Sequence, residues 1–356
     1  MSYKRELKKS VYTLAALEKS ITLTPQERAW FEQENRKRLP LFISPIFFKK
    51  IVRDKENSKN PIRLQSIPTV YENYVAEYEK SDPLCEERFS PIAGVVHRYE
   101  NRVLLYASHR CAHNCRHCFR GAIPHTKKNL FDHLDELEEY LVSKPTICEV
   151  LLSGADPLIH EDRKLELILK RIKHAQKRRG KPLLVRICTR IPFTLPSRVT
   201  YALLRMLDKY RPLWFILHIN HADEFSPQSI KALKKIQHAS FPMVSQTVLL
   251  RGVNDSPKTL ATLMEKLLFF NIKPYYLFQG DLAEGTKHFR VPIDEGLKIV
   301  NELKKHISGL AMPNYYVDLP NGGGKIPLTK SYFYKEDENS FLFKNEDGDI
   351  FSYPKE

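Results

Sequence analysis

From about residue 100 onward, short apolar runs alternate with amphipathic stretches of helical period, and this alternation constrains the fold most. We predict strands at 103–107, 149–152, 183–188, 213–219, 244–250, 275–278 and 315–317. Between most of them we predict helices, at 131–142, 162–179, 197–209, 226–239, 256–270 and 294–307. Alternating strands and helices indicate a parallel sheet with right-handed crossovers. Six or seven such units suit an open or partial (βα) barrel, whose sites gather at the carboxyl ends of the strands.

The segments that flank this pattern have a different character. Residues 1–95 are predicted to be helical and irregular, with a helix start at Thr24, where Glu27 can complete a capping box. Strand-like runs at 340–344 and 350–353 enclose a polar turn at 345–349, which predicts a terminal β-hairpin. We therefore divide the chain into a helical region at 1–95, a barrel at 96–330 and a tail at 331–356.

Composition excludes several classes of protein. The 356 residues are 42% hydrophobic, without a run of eighteen apolar residues or a signal peptide, so we expect a cytoplasmic protein without a membrane span. A net charge of +15 can attract nucleic acid or anionic cofactors. No zinc-finger, RRM or KH signature accompanies the charge, and basic runs lie on the predicted helix at 162–179, so nucleic-acid binding is not predicted.

Three of the six cysteines, Cys111, Cys115 and Cys118, form a C-x3-C-x2-C pattern within eight residues. Such clustering argues against a disulfide framework and for a reducing cytosol. Iron–sulfur clusters that only transfer electrons normally have four cysteine ligands. Three thiolates therefore leave one iron of a [4Fe–4S] cluster open to a small molecule, which is the signature of radical S-adenosylmethionine (SAM) enzymes. The pattern follows the strand at 103–107, so it lies at the carboxyl end of the barrel.

A structural zinc site is the alternative interpretation of the same residues. Cys3His is a common zinc ligand set, and His113 and His117 lie within the cysteine loop. Structural zinc sites usually combine two distant half-sites, and we find no second one elsewhere in the sequence. We therefore favour an iron–sulfur cluster. A non-enzymatic protein that binds zinc or nucleic acid stays as the hypothesis from a different class.

A second distinctive segment is Gly322-Gly323-Gly324-Lys325. Glycines permit positive φ angles and a close approach of backbone to ligand, and successive N–H groups can bind an anion. A Walker A loop is rejected because Ile326 and Pro327 follow the lysine, where a hydroxyl residue and a helix are required. Two alternatives remain, a flexible surface loop and a lysine that forms an imine with pyridoxal phosphate (PLP).

Between residues 43 and 331, many ordered segments match one family. They are 97–99, 102–105, 115–120, 151–154, 156–158, 189–190 with Arg186, 218–221, 246–255, 274–276, 288–290 and 322–325. On these segments the chain resembles the lysine 2,3-aminomutase family of PLP-dependent radical SAM enzymes. The resemblance implies an α/β fold, a partial (βα)6-type radical SAM barrel with a helical N-terminal extension and a short C-terminal hairpin. It also implies a [4Fe–4S] cluster, SAM and PLP as cofactors.

The resemblance assigns a role to individual residues. The cluster and SAM would be bound by Cys111, Cys115, Cys118, Ser153, Gly154 and His218. PLP would be bonded to Lys325, with its phosphate and ring held by Arg98, Tyr99, Arg102, Gln246 and Tyr275. The substrate would be L-lysine, held by Arg120 at its α-carboxylate and by Asp281 and Asp318 at its ε-ammonium. The expected reaction is the shift of the α-amino group to the β-carbon, which gives β-lysine.

The sequence also departs from the family. Ala155 stands where the family usually has glycine, and no cysteine follows Cys188 where some members bind structural zinc. Ser256 likewise replaces a further zinc cysteine, so we expect no such zinc, and the geometry of a homo-oligomer is left open. The resemblance implies a flavodoxin- or ferredoxin-type electron donor. Three functions remain within it: free lysine 2,3-aminomutase, supply of β-lysine for modifying elongation factor P, and glutamate 2,3-aminomutase.

Overall fold

The computed structural model describes residues 2–33, 38–121, 129–329, 331, 333–344 and 348–355. Its centre is a nine-stranded sheet in which the strands follow one another in chain order. These strands are β1 (Val95–Tyr99), β2 (Arg102–Ser108), β3 (Glu149–Gly154), β4 (Leu184–Thr189), β5 (Leu213–His218), β6 (Met243–Val248), β7 (Lys273–Phe278), β8 (Asn314–Leu319) and β9 (Gly324–Pro327). The run from β2 to β8 is parallel, and β1 and β9 are antiparallel edges. All seven predicted strands are confirmed.

Helices connect the parallel strands, as the alternating pattern predicts. They are α6 (Leu134–Ser143), α7 (Asp162–Arg179), α8 (Ile191–Thr194), α9 (Tyr201–Asp208), α10 (Pro227–His238), α11 (Pro257–Phe269) and α12 (Ile293–Leu303). In α7 the buried residues Leu165, Leu169 and Ile172 recur at helical spacing, so one face packs into the core and the basic residues face outward. Gly180, in the left-handed conformation, ends this helix.

The N-terminal region is helical and irregular, as predicted, and it packs onto the barrel. Its helices are α1 (Tyr3–Leu7), α2 (Leu14–Glu18), α3 (Pro25–Phe31), α4 (Pro45–Arg53) and α5 (Pro61–Leu64). The predicted capping box at Thr24 and Glu27 is present at the start of α3. Leu17 and Phe47 of this region share one hydrophobic cluster with Val103 of the barrel. A single core therefore continues across the predicted boundary near residue 95.

A buried ion pair joins the N-terminal region to the cysteine loop. The Arg116 guanidinium, inside the C-x3-C-x2-C segment, donates two hydrogen bonds to the Glu72 carboxylate. Both side chains are almost wholly buried, and Arg116 also donates to the Leu39 carbonyl at 2.9 Å. Removing one partner of a buried pair is costly, because the other charge is left without compensation. The loop that carries the three cysteines is thus held in place by residues from outside the barrel.

The C-terminal tail forms the predicted hairpin with one additional strand. The tail strands are β10 (Phe333–Glu336), β11 (Ser340–Lys344) and β12 (Ile350–Pro354), and they pair in that order as an antiparallel sheet. The predicted turn at 345–349 lies mostly outside the described residues. Within the described part of the chain, no helix has the length and apolar character needed to cross a bilayer.

The glycine-rich segment differs from the predicted loop. Asn321, Gly322 and Gly324 have φ angles of 58°, 75° and 91°, so a tight turn follows β8. The chain then returns as β9, in which Lys325 pairs with Asp318 across the antiparallel ladder. Lys325 therefore lies on a strand at the edge of the sheet, and the glycines make the reversal that aligns it with β8.

Candidate active site

A cavity of about 510 Å³ occupies the interior of the barrel. Strands β3 to β7 each contribute their last residue to its wall, so it lies where parallel strands end, as predicted. All fifteen residues that the sequence singles out line this cavity. They are Arg98, Tyr99, Arg102, Cys111, Cys115, Cys118, Arg120, Ser153, Gly154, His218, Gln246, Tyr275, Asp281, Asp318 and Lys325.

The three cysteines lie close enough to influence one another. Burial raises the pKa of the Cys111 thiol well above its usual range, and the neighbouring Asp156, Cys115 and Cys118 raise it further. Burial also raises the pKa of Cys115. A buried thiol with a raised pKa stays protonated unless a cation stabilises its thiolate form. A metal that coordinates the sulfur removes the proton outright. The donor set therefore fits three thiolates on a metal cluster.

Arg190, which sequence reasoning did not assign to the site, contacts the cysteine loop. Its Nη1 donates to the Cys115 sulfur at 2.6 Å. Its Nη2 donates to the Gln65 side chain at 2.8 Å and lies 2.8 Å from the Glu224 carboxylate. A buried arginine with three partners is a fixed donor, suited to stabilising a thiolate ligand. Its signals in the sequence are its position directly after β4 and its place in the family-matching segment 189–190, which carried no assigned role.

The residues assigned to SAM lie at the ends of β3 and β5, which are separated in the sheet by β4. The His218 ring, the last residue of β5, stacks on the His117 ring with centroids 5.4 Å apart and planes at 12°. Burial lowers the pKa of His218 to about 3, so both rings are kept neutral at physiological pH, since burial also lowers the pKa of His117. Gly154 ends β3 with φ at 89°, and a Cβ there would lie 2.8 Å from the Ser108 carbonyl oxygen. This close approach requires glycine.

Lys325 and its neighbours fit a covalently held PLP. The Lys325 ammonium lies 2.5 Å from the Asp318 carboxylate and 3.9 Å from the centre of the Phe278 ring. Burial lowers the pKa of Lys325, which favours the neutral amine that attacks an aldehyde, although Asp318 opposes this shift. The backbone N–H of Lys325 donates to the Tyr99 hydroxyl at 2.9 Å.

Two arginines, Arg98 and Arg102, lie near Gly324 and Lys325. The Arg102 guanidinium stacks over the Tyr99 ring at 3.8 Å from its centre. Arg98 lies over the Phe89 ring, and its buried Nε has no hydrogen-bond partner among the described residues. An arginine donor that is buried and unpaired is costly, so it marks a place for an acceptor. Gln246 and Tyr275 line the same part of the cavity.

Two carboxylates face each other beside Lys325. Burial raises the pKa of Asp281 to about 7, and the nearby Asp318 carboxylate adds to this shift. The Oδ1 atom of Asp281 is buried and has no hydrogen-bond partner within the described residues. A pair of acids in which one lacks a partner is a site for a cation. The effect of Asp318 on the pKa of Asp281 indicates that the two carboxylates lie near each other.

Arg120 has a partner that sequence reasoning missed. Its Nη2 donates to Glu86 at 2.6 Å and its Nε donates to the same carboxylate at 3.2 Å. The Tyr106 hydroxyl donates to the Glu86 oxygen that accepts from Nε, and it also accepts from Arg120 Nε at 3.3 Å. A lone glutamate in an irregular segment carries no periodic signal, and its partner is 34 residues away. Another unassigned pair, Arg186 with Glu149 at 2.6 Å, also lines the cavity.

The comparisons with known proteins agree with this geometry. The model of the radical SAM superfamily matches residues 105–264, and a lysine-2,3-aminomutase model matches residues 300–356. An L-lysine 2,3-aminomutase of Fusobacterium nucleatum is 35% identical over 98% of this chain and 81% of its own length. The L-lysine 2,3-aminomutase of Methanococcus maripaludis is 37% identical over 99% and 81%. The glutamate 2,3-aminomutase of Clostridioides difficile is 34% identical over 98% and 81%.

Fold, cysteine loop and comparisons together define a radical SAM enzyme. More narrowly, the chain belongs to the lysine 2,3-aminomutase family, whose members are isomerases. Membership of the superfamily implies a [4Fe–4S] cluster and SAM. The family includes relatives named for lysine and for glutamate, so membership alone leaves the substrate open.

We predict that Gly154→Ala destabilises the protein. The new Cβ would meet the Ser108 carbonyl at 2.8 Å, and the backbone at φ 89° is unfavourable for alanine. Backbone strain of this kind costs about 1–3 kcal/mol before any steric clash is counted. The free energy of unfolding, measured with urea, should fall by at least that amount. Gly309→Ala is the control, because nothing lies within 4 Å of its Cβ position. Equal stability of the two variants would contradict the close approach at Gly154.

Proposed function

We propose that this protein is a PLP-dependent aminomutase that converts L-lysine into β-lysine. The supporting observation is the distribution of charge in the cavity. The cation Arg120 lines the cavity together with Asp281 and Asp318, two carboxylates that lie near each other and near Lys325. A substrate with a carboxylate at one end and an ammonium at the other matches this distribution. L-Lysine has these groups, and its α-amine is the group that moves.

The acid pair argues for lysine over glutamate. A glutamate side chain would bring a third carboxylate towards Asp281 and Asp318, and like charges in a buried site repel. A lysine ammonium has three donors, which suits two carboxylates, one of which has a buried oxygen without a described partner. The relative named for glutamate shows that the family tolerates such a substrate, but neutral or cationic groups would then be expected at 281 and 318.

The protein's own residues bind, orient and shield the substrate. When bound, the cluster with SAM supplies a radical that abstracts hydrogen, and PLP supplies the covalent hold on the migrating nitrogen. Arg120 and the acid pair fix the two ends of the substrate, so that the β-carbon is presented to SAM. The barrel walls restrict the access of water to the substrate, which protects reactive species and strengthens these charge contacts. An external electron donor and a homo-oligomer are part of the proposal.

We predict that Lys325 is the lysine that holds PLP. Its ammonium is in the cavity, and Arg98 and Arg102 are close by for the phosphate. Borohydride reduction of PLP-loaded protein, followed by peptide mapping, should place the pyridoxyl group on Lys325. Lys325→Arg should remove the label and the visible absorbance of the cofactor, whereas the exposed Lys298→Arg should keep both. A label on another lysine would refute the assignment.

We predict that Asp318→Asn strongly weakens the use of lysine. Losing one partner of a buried charge pair costs about 3–5 kcal/mol, which corresponds to roughly a hundredfold to several thousandfold in binding. The ratio of the affinity for L-lysine to the affinity for L-norleucine, which lacks the ammonium, should fall by a similar factor. The iron and PLP contents should stay unchanged. Asp294→Asn, at an exposed position, serves as the control. Wild-type turnover by the variant, or a wild-type preference for glutamate, would overturn the lysine assignment.

We predict that recognition of the ammonium depends on pH through Asp281. Its pKa is about 7 in the cavity, so below this pH a proton occupies the carboxylate that the cation requires. The ratio of lysine affinity to norleucine affinity should therefore rise with pH and level off above about 7. Norleucine has the same α-amine and α-carboxylate, so their titration cancels in the ratio. Asp281→Asn should flatten the profile, and an unchanged profile in this variant would exclude Asp281 as its origin.

A further inference from the structure

The Arg120–Glu86 pair uses only one edge of the guanidinium. Glu86 accepts from Nε and from one N–H of Nη2. Nη1 has no hydrogen-bond partner among the described residues, and Arg120 lines the cavity. A guanidinium carries five N–H donors in a planar fork, and a carboxylate binds best to two parallel donors. The edge formed by Nη1 and Nη2 is therefore left for a second carboxylate.

Glu86 is itself held firmly. Its side chain is only 6% exposed, and the hydroxyl of the buried Tyr106 contacts its carboxylate. Its backbone carbonyl accepts hydrogen bonds from the Ser90 hydroxyl and from the Phe89 N–H, so the short turn that carries Glu86 is closed on itself. A fixed carboxylate determines the plane and direction of the arginine bonded to it.

Glu86 also balances the charge of Arg120 near the acid pair. Asp281 lies near enough to Arg120 for the guanidinium to act on its carboxylate. Without a nearer anion, Arg120 would be drawn towards the acids that the substrate ammonium requires, because opposite charges in a buried site attract strongly. The glutamate bonded to Nε and Nη2 compensates the charge of Arg120 and holds its guanidinium in place.

We propose that Glu86 is a positioning residue that orients Arg120 for the substrate carboxylate and sets the preference for a free amino acid over its amide. This inference rests on the proposed function, because it takes the ligand of Arg120 to be the α-carboxylate of lysine. Glu86 acts through Arg120 and need not touch the substrate. The chemical class that this arrangement selects is an α-amino acid with a free carboxylate and a distal cation.

The test measures binding in PLP-loaded enzyme without SAM. Titrations of L-lysine and of L-lysinamide are followed by the visible absorbance of the cofactor. For Glu86→Gln the dissociation constant for L-lysine should rise about tenfold to a hundredfold, the range for one hydrogen bond to a charged group. L-Lysinamide, which lacks the carboxylate, should bind almost as it does to the wild type. Glu87→Gln, the same change at the exposed neighbouring residue, should alter neither constant.

Each result has a distinct meaning. An equal loss for both ligands would indicate general damage to the cavity and overturn the inference, as would unchanged or tighter binding of L-lysine. If Glu86→Gln does not fold, Tyr106→Phe is the second variant, because it removes the hydroxyl that contacts Glu86. It should weaken the binding of L-lysine relative to that of L-lysinamide, by a smaller factor than Glu86→Gln. An unchanged ratio of the two dissociation constants then overturns the inference. A wild type that takes up PLP but binds no lysine would contradict the proposed function instead.

Discussion

Buried charge, compensated by pairing, is the interaction on which this cavity depends. A charge removed from water is tolerated only when a partner and hydrogen bonds replace the solvent. Arg120 has Glu86, and Lys325 has Asp318. Asp281 is the exception, because burial raises its pKa to about 7 and its Oδ1 has no hydrogen-bond partner within the described residues. A buried charged group that lacks a partner, among others that have one, marks a binding site. Here that group is a carboxylate, so its negative charge favours a cationic ligand.

The curvature of the sheet brings together residues that are far apart along the chain. Tyr99 lies on the edge strand β1 and Lys325 on the opposite edge strand β9. The Tyr99 hydroxyl nevertheless accepts a hydrogen bond from the backbone N–H of Lys325. A Cβ at Gly324 would lie 3.2 Å from the Arg98 guanidinium, so the two edges nearly touch at this point. Residues assigned to PLP thus come from both edge strands, β1 and β9. A group bonded to Lys325, with its phosphate at Arg98, would bridge the two edges.

The sequence predicts those parts of this structure that have a local signal. Strands buried on both faces appear as continuous apolar runs, and α7 has a helical period with a glycine at its end, so both were predictable. The strand β9 is short and begins with glycine, and its hydrogen bonds come from β8, so no local pattern marks it. Glu86 and Arg190 acquire their roles through partners distant in the chain, which neither periodicity nor spacing reveals. The family resemblance supplied the remaining site residues, including Asp281 and Asp318.

The N-terminal region completes the site as well as covering it. The side-chain oxygen of Gln65 accepts from Arg190 at 2.8 Å and from Asn220 at 2.9 Å. Arg190 follows β4 and donates to Cys115, while Asn220 follows β5 and lies within hydrogen-bonding distance of His218. One amide from outside the barrel therefore links the residues assigned to the cluster with those assigned to SAM. Because buried hydrogen-bond networks polarise and fix their members together, a shift in any one member displaces both sets. The residues assigned to the two cofactors thus belong to one hydrogen-bond network.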